Sequence, residues 1–89
     1  MIKLVWGSSF KRAYKKAVKS NPDLEKKLWK SINFFEKDPF HPTLKTHKLS
    51  GKLKGQWAFV VEYDCRVVFE FMGKDKAVLV DIGTHDEVY

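Results

Sequence analysis

The chain has 89 residues, 44% of them hydrophobic and 31% charged, and its seventeen Lys and Arg outnumber eleven Asp and Glu to give a formal net charge of +6. That length fits a single domain with a modest core, and the composition is that of a folded globular protein rather than a disordered chain. No apolar run approaches the roughly 18 residues of a spanning helix, and the N-terminal MIKLVW is too short and wrongly flanked for a secretory signal, so a cytoplasmic protein without membrane contact is expected.

Ile2, Lys3, Leu4, Val5 and Trp6 alternate weakly before Gly7, Ser8 and Ser9, which predicts a short strand feeding a capped helix. Phe10, Ala13, Tyr14, Ala17 and Val18 then recur at helical spacing, with Lys11, Arg12, Lys15, Lys16 and Lys19 on the opposite face. That lysine face is either a solvated helix surface or a contact for nucleic acid or an acidic protein. Ser20-Asn21-Pro22-Asp23 stops this helix and starts another, with Ser20 or Asn21 as the expected cap. Leu24, Leu28, Ile32 and Phe35 form the apolar stripe of the second helix, Trp29 lies on its flank, and Asp38-Pro39-Phe40-His41-Pro42 ends it.

Residues 43–55 read TLKTHKLSGKLKG and carry Lys45, Lys48, Lys52 and Lys54 around His47. A charged loop just before a core strand is where binding residues are expected, held by a rigid scaffold. From Trp57 onward three apolar segments follow one another through short turns, as in an antiparallel meander, because parallel neighbours need long crossovers. Trp57, Phe59, Val61 and Tyr63 share one side of the first segment, and Val67, Phe69 and Phe71 one side of the second. Arg66 then points to the opposite face with Val68 and Glu70. Its permanent charge and fixed fork of donors suit it to grip a phosphate, unless it pairs with Glu62 or Glu70 across the strands. Helices segregated from strands predict an α+β domain spanning 1–89, with an N-terminal helical hairpin packed on one face of a twisted antiparallel sheet of about four strands.

The three histidines, His41, His47 and His85, and the single Cys65 lack the short ligand spacings of a zinc site, so neither metal nor cofactor is expected. A lone cysteine forms no internal disulfide, in keeping with a reducing compartment, and here reads as a small hydrophobe. RNA cleavage, in contrast, needs the 2′-OH deprotonated, the phosphorane stabilised and the 5′ oxygen protonated. Imidazoles with Arg and Lys can supply all three, which singles out His47, Lys48, Lys52, Lys54, Arg66 and His85, with Tyr89 as a stacking surface for a base.

The loop THKLSGKLKGQW, the segment EYDCRVVFEF and the ending DIGTHDEVY together resemble the RelE/ParE superfamily of bacterial toxin-antitoxin toxins, especially its YafQ-like branch, over nearly the whole chain. The most specific parts are His-Lys-Leu-x-Gly at 47–51 and Gly-Thr-His followed by an aromatic at 89. The resemblance implies a twisted sheet with two N-terminal helices on one face. It further implies a ribosome-dependent endoribonuclease that cuts mRNA in the A site without a metal, silenced by a cognate antitoxin and able to form a higher-order toxin-antitoxin complex. By position His47 matches the loop histidine of the YafQ pattern, Asp64 its turn aspartate, His85 its C-terminal histidine and Tyr89 its terminal aromatic, while Arg66 resembles the strand arginine of RelE. Lys45, Lys48, Lys52 and Lys54 are then the RNA-binding set. The chain departs from the pattern at Val60, where a second mid-sheet histidine is expected, and at Cys65, which replaces a tryptophan. The alternatives are a ParE-like gyrase inhibitor and a basic binding module without catalysis.

Overall fold

The computed structural model describes residues 1–51, 55–84 and 88. Strand β1 (Lys3–Trp6) leads into helices α1 (Ser8–Ser20) and α2 (Leu24–Lys37), a 3-10 turn (Pro42–Leu44), and strands β2 (His47–Lys48), β3 (Trp57–Glu62), β4 (Cys65–Phe71) and β5 (Lys76–Gly83). The strands form one sheet in the order β1-β5-β4-β3-β2. The α+β hairpin-on-sheet architecture is the expected one, and β3, β4 and β5 form the expected antiparallel meander. Two details differ. The sheet has five strands, because His47 and Lys48 pair antiparallel with Ala58 and Trp57 inside what reads as a loop, and it is mixed, because β1 runs parallel to β5.

The hairpin covers one face of this sheet. Phe10, Leu24, Leu28, Ile32 and Phe35 from the helices are buried in one cluster with Phe59, Val67, Phe69, Ala77 and Leu79 from the strands. Phe35 sits at its centre, 5.1 Å from the ring of Phe59 and 4.8 Å from that of Phe69. Tyr63, expected on the core side, is instead 95% exposed in the turn after β3. The register shifts between Val60 and Glu62, and the strand ends there, so the period-two alternation that holds for Trp57 and Phe59 no longer applies.

The helix caps also depart from expectation. Asp23, not Ser20 or Asn21, precedes α2, and it makes no side-chain cap hydrogen bond. Asn21 closes α1 through its backbone N–H to the Ala17 carbonyl, and its side-chain amide donates to Glu62 at 3.4 Å. Glu62 also accepts from Lys27 Nζ at 2.6 Å, which ties the start of α2 to the end of β3. That hydrogen bond, aided by the charge of Glu62, holds the Lys27 ammonium above its usual value of 10.5. What the raised Lys27 value contributes to stability is therefore complete at neutral pH and is lost as pH rises through the folded value.

At the start of α1 the cap is Gly7, in extended conformation, and its N–H donates to the Leu79 carbonyl at 3.1 Å. Ser9 Oγ donates to the next carbonyl, that of Val80, at 2.8 Å. Val80 is the residue left unopposed where the β4–β5 register shifts, so the serine satisfies a bulge carbonyl and pins α1 to β5. A Cβ on Gly7 would meet the Leu79 oxygen at 2.8 Å. Gly7→Ala is therefore expected to destabilise the fold by about 1–3 kcal/mol, as overpacking does, and to lower the melting temperature by at least about 4 °C. A variant that melts with the parent would show that the junction yields freely.

Charge is distributed unevenly between the two layers. Residues 8–37 hold nine Lys and Arg against three Asp and Glu, while the rest of the chain holds eight against eight, so the entire formal +6 belongs to the helical hairpin.

Candidate active site

The register places the residues of the second sheet face in rows. His47, Ala58, Val68 and Asp81 lie opposite one another across β2, β3, β4 and β5, and Val60, Arg66 and Gly83 form the next row. Directly opposed side chains share a face, so His47 and Arg66 emerge on the same side of the sheet, away from the helices. The two are separated by two strands and two residues, a Cα spacing of about 12 Å. That spacing leaves a gap between the two positions on this face. Sequence alternation suggests that this face, uncovered by the helices, is open, but it is not open throughout: Ala58 and Val68 at its centre are 0% and 2% exposed although they lie outside the helix-side core, and Val88 is buried too. Arg66 is half-buried beside this centre and His47 is exposed at the edge.

The edge position of His47 is built by the segment before it. Leu44 is fully buried and anchors the 3-10 turn, Thr46 Oγ1 donates to the Pro39 carbonyl at 2.5 Å, and Lys45 adopts a left-handed conformation with φ of 49°. This reversal brings the Lys45 carbonyl to 3.0 Å from His47 Nδ1. A carbonyl can only accept, so Nδ1 carries the proton and Nε2 the lone pair of the neutral ring. In that tautomer Nε2 is the basic nitrogen of the ring.

Arg66 Nη1 donates to the Tyr63 carbonyl at 3.1 Å, folding the guanidinium back toward the β3–β4 turn. It does not pair with Glu62, which is taken by Lys27 and Asn21, and no ion pair joins it to Glu70. Its remaining donors suit an oxyanion.

The other sequence-selected residues scatter. Lys45 is exposed beside His47. Lys48, opposite Trp57, turns to the helix side, where its Nζ lies 5.7 Å from the Trp57 ring centroid. Asp64 is exposed in the β3–β4 turn and lines a cleft of about 430 Å³ with Lys16, Glu62, Asp81 and Thr84, between the end of α1 and the end of β5. Lys52, Lys54, His85 and Tyr89 lie outside the described residues. One residue not singled out from sequence joins the His47 row: Asp81, whose carboxylate accepts the Ile82 N–H at 2.8 Å. An acid inside the apolar run AVLVDIG is the signal that points to it. Among the described residues no three His, Cys, Asp or Glu side chains converge as a metal site would require.

The model of the family described as "Bacterial toxin of type II toxin-antitoxin system, YafQ" matches residues 2–89. No curated protein matches the chain. Among solved structures, a metal-bound toxin from Helicobacter pylori is 27% identical with a TM-score of 0.81, each chain being covered in full. YafQ from E. coli superposes with a TM-score of 0.82 at 21% identity over 100% of this chain and 99% of that one, and as the DinJ-YafQ complex with 0.76 at 22% over the same shares. A YoeB/ParE toxin from Agrobacterium tumefaciens gives 0.78 at 22% identity over 94% and 99%. The family match and a helical hairpin on one face of a five-stranded mixed sheet thus define a bacterial toxin of a type II toxin-antitoxin system. Within that class, the chain belongs to the YafQ family of toxins from type II toxin-antitoxin systems.

Proposed function

We propose that this toxin is a ribosome-dependent endoribonuclease that cuts mRNA in the A site by acid-base attack of the ribose 2′-OH. The observation that carries the reading is the pair on the second sheet face: His47 held as an Nε2 base by the Lys45 carbonyl, and Arg66 across a gap that a phosphodiester can enter. His47 Nε2 takes the 2′-OH proton, the 2′ oxygen bonds to phosphorus, and the bond to the 5′ oxygen breaks. Arg66 stabilises the charge that builds on the phosphorane. His85 returns a proton to the leaving 5′ oxygen, and Tyr89 stacks on a base. Asp64 stays at the turn whose Tyr63 carbonyl receives Arg66. Lys45, Lys52 and Lys54 hold RNA phosphates, whereas Lys48, turned to the helix side over Trp57, stands apart from that set. Side chains alone supply the base, the acid and the charge, so neither metal nor cofactor is called on.

The protein works in the cytoplasm, where ribosomes are, and a cognate antitoxin silences it, as the DinJ-YafQ pairing of the E. coli relative suggests. An antitoxin segment that folds on the toxin, as helix or added strand, would close the Arg66 face and could join further copies into a higher-order complex. Primer extension on mRNA after induction, run beside a gyrase supercoiling assay, tests the activity. Cuts within A-site codons with supercoiling unchanged are expected; intact mRNA with impaired supercoiling would make the chain a gyrase poison instead.

A further inference from the structure

We propose that the outer face of α2 carries a second site, for the phosphate and base of a nucleotide, formed by Lys30, Asn33, Phe34, Lys37 and His41. These residues line a hollow of about 350 Å³, at the lower end of the roughly 300–1,000 Å³ typical of small-molecule sites. It opens on the helical layer, whereas His47 and Arg66 are on the other face of the sheet.

Lys30, Asn33, Phe34 and Lys37 follow one another at i, i+3, i+4 and i+7 and so share one stripe of α2. The stripe is polar except for Phe34, which is half-buried. The chain then reverses and lays the His41 ring on that of Phe34, with centroids 4.5 Å apart and planes 31° from parallel. The reversal is rigid. Asp38 accepts from the N–H groups of Phe40 and His41, each at 3.0 Å, and Pro39 and Pro42 fix their own φ. Thr43 N–H donates to His41 Nδ1 at 3.2 Å. An acceptor Nδ1 carries no proton, so the neutral His41 ring keeps its proton on Nε2, the opposite tautomer to His47. Nε2–H then adds a donor to the two lysines, neither of which is in an ion pair among the described residues.

Two unpaired ammonium groups and an N–H donor select an anion, and a pair of flat rings selects a flat partner. A phosphorylated nucleoside has both, and Asn33 can meet a base edge or a sugar hydroxyl. The same chemistry is offered by a free nucleotide and by one unit of an RNA strand.

Amide chemical shifts of the full chain, followed by NMR during titration, test the site. 5′-AMP is expected to move the amides of residues 30–41, with adenosine alone and inorganic phosphate alone each binding at least about tenfold more weakly, since each keeps one contact set. A 2′-O-methyl triadenylate that binds more tightly than AMP identifies an RNA strand as the source; equal affinity identifies the free nucleotide. The double variant K30Q/K37Q should weaken AMP by about tenfold or more, as loss of charge-assisted contacts does. His41→Ala should weaken it as well, and Phe34→Leu, which keeps apolar bulk but no flat ring, covers the case in which removing His41 loosens the loop. The proposal fails if AMP leaves these amides unmoved, if K30Q/K37Q binds AMP as the parent does, if inorganic phosphate binds as tightly as AMP, or if an oligoglutamate peptide shifts these amides and AMP does not.

Discussion

Arg66→Ala is expected to slow mRNA cleavage on programmed ribosomes by about 10²–10³-fold, the usual cost of removing one preorganised donor to a developing oxyanion. The substitution should leave the fold in place, because Arg66 is half-exposed and its one described hydrogen bond runs to the Tyr63 carbonyl at the turn. A small loss of stability, about 1 kcal/mol for that bond, separates a catalytic defect from unfolding when melting is recorded on the same preparation. Arg66→Lys keeps the charge but not the two-pronged geometry, so it should recover only part of the rate. Single-turnover rates for Arg66→Ala within about threefold of the parent would remove the guanidinium from the mechanism.

The largest structural effect is expected at Phe35. Its ring is fully buried between α2 and the sheet, against Phe59 and Phe69, and Phe35→Ala should cost about 3–5 kcal/mol. Small domains hold only about 5–15 kcal/mol in total, so the urea midpoint should fall sharply. Phe40→Ala is the control. Phe40 meets Trp57 and Phe71 edge-on and face-on but is 55% exposed, and its removal should shift the midpoint far less. Equal shifts for the two would contradict the placement of the core.

These two phenylalanines also show what the sequence could reveal. Phe35 closes a stripe with Leu24, Leu28 and Ile32 whose spacing dictates a buried helix face, and all four are buried. Alternation likewise revealed β3 to β5 and set Arg66 apart from Val67 and Phe69. The direction of β1 was hidden, since alternation does not encode which way a neighbour runs. A strand of two residues, His47–Lys48, offers no period to detect, and without it nothing could tell that His47 and Lys48 face opposite sides of the sheet. Tyr63 was misplaced because a register shift is invisible in a pattern that continues unbroken through it. The contact of His41 with Phe34 depends on the chain reversing after α2, which proline spacing signals only as an end to the helix.

The parallel pairing of β1 with β5 also bears on how the toxin is made. Lys3 leaves the ribosome early, yet its partner Lys76 belongs to the last of the described strands, as does Gly83 beside Arg66. At elongation rates of about 5–20 residues per second, β1 waits on the order of ten seconds for the strand that completes its edge of the sheet. The nascent chain meanwhile holds helices without β5, the strand on which both α1 and β1 rest, and the long loop must close before those contacts can repay its entropy. Until β5 has been made, the nascent chain therefore lacks both the partner of β1 and the Gly83 that borders Arg66.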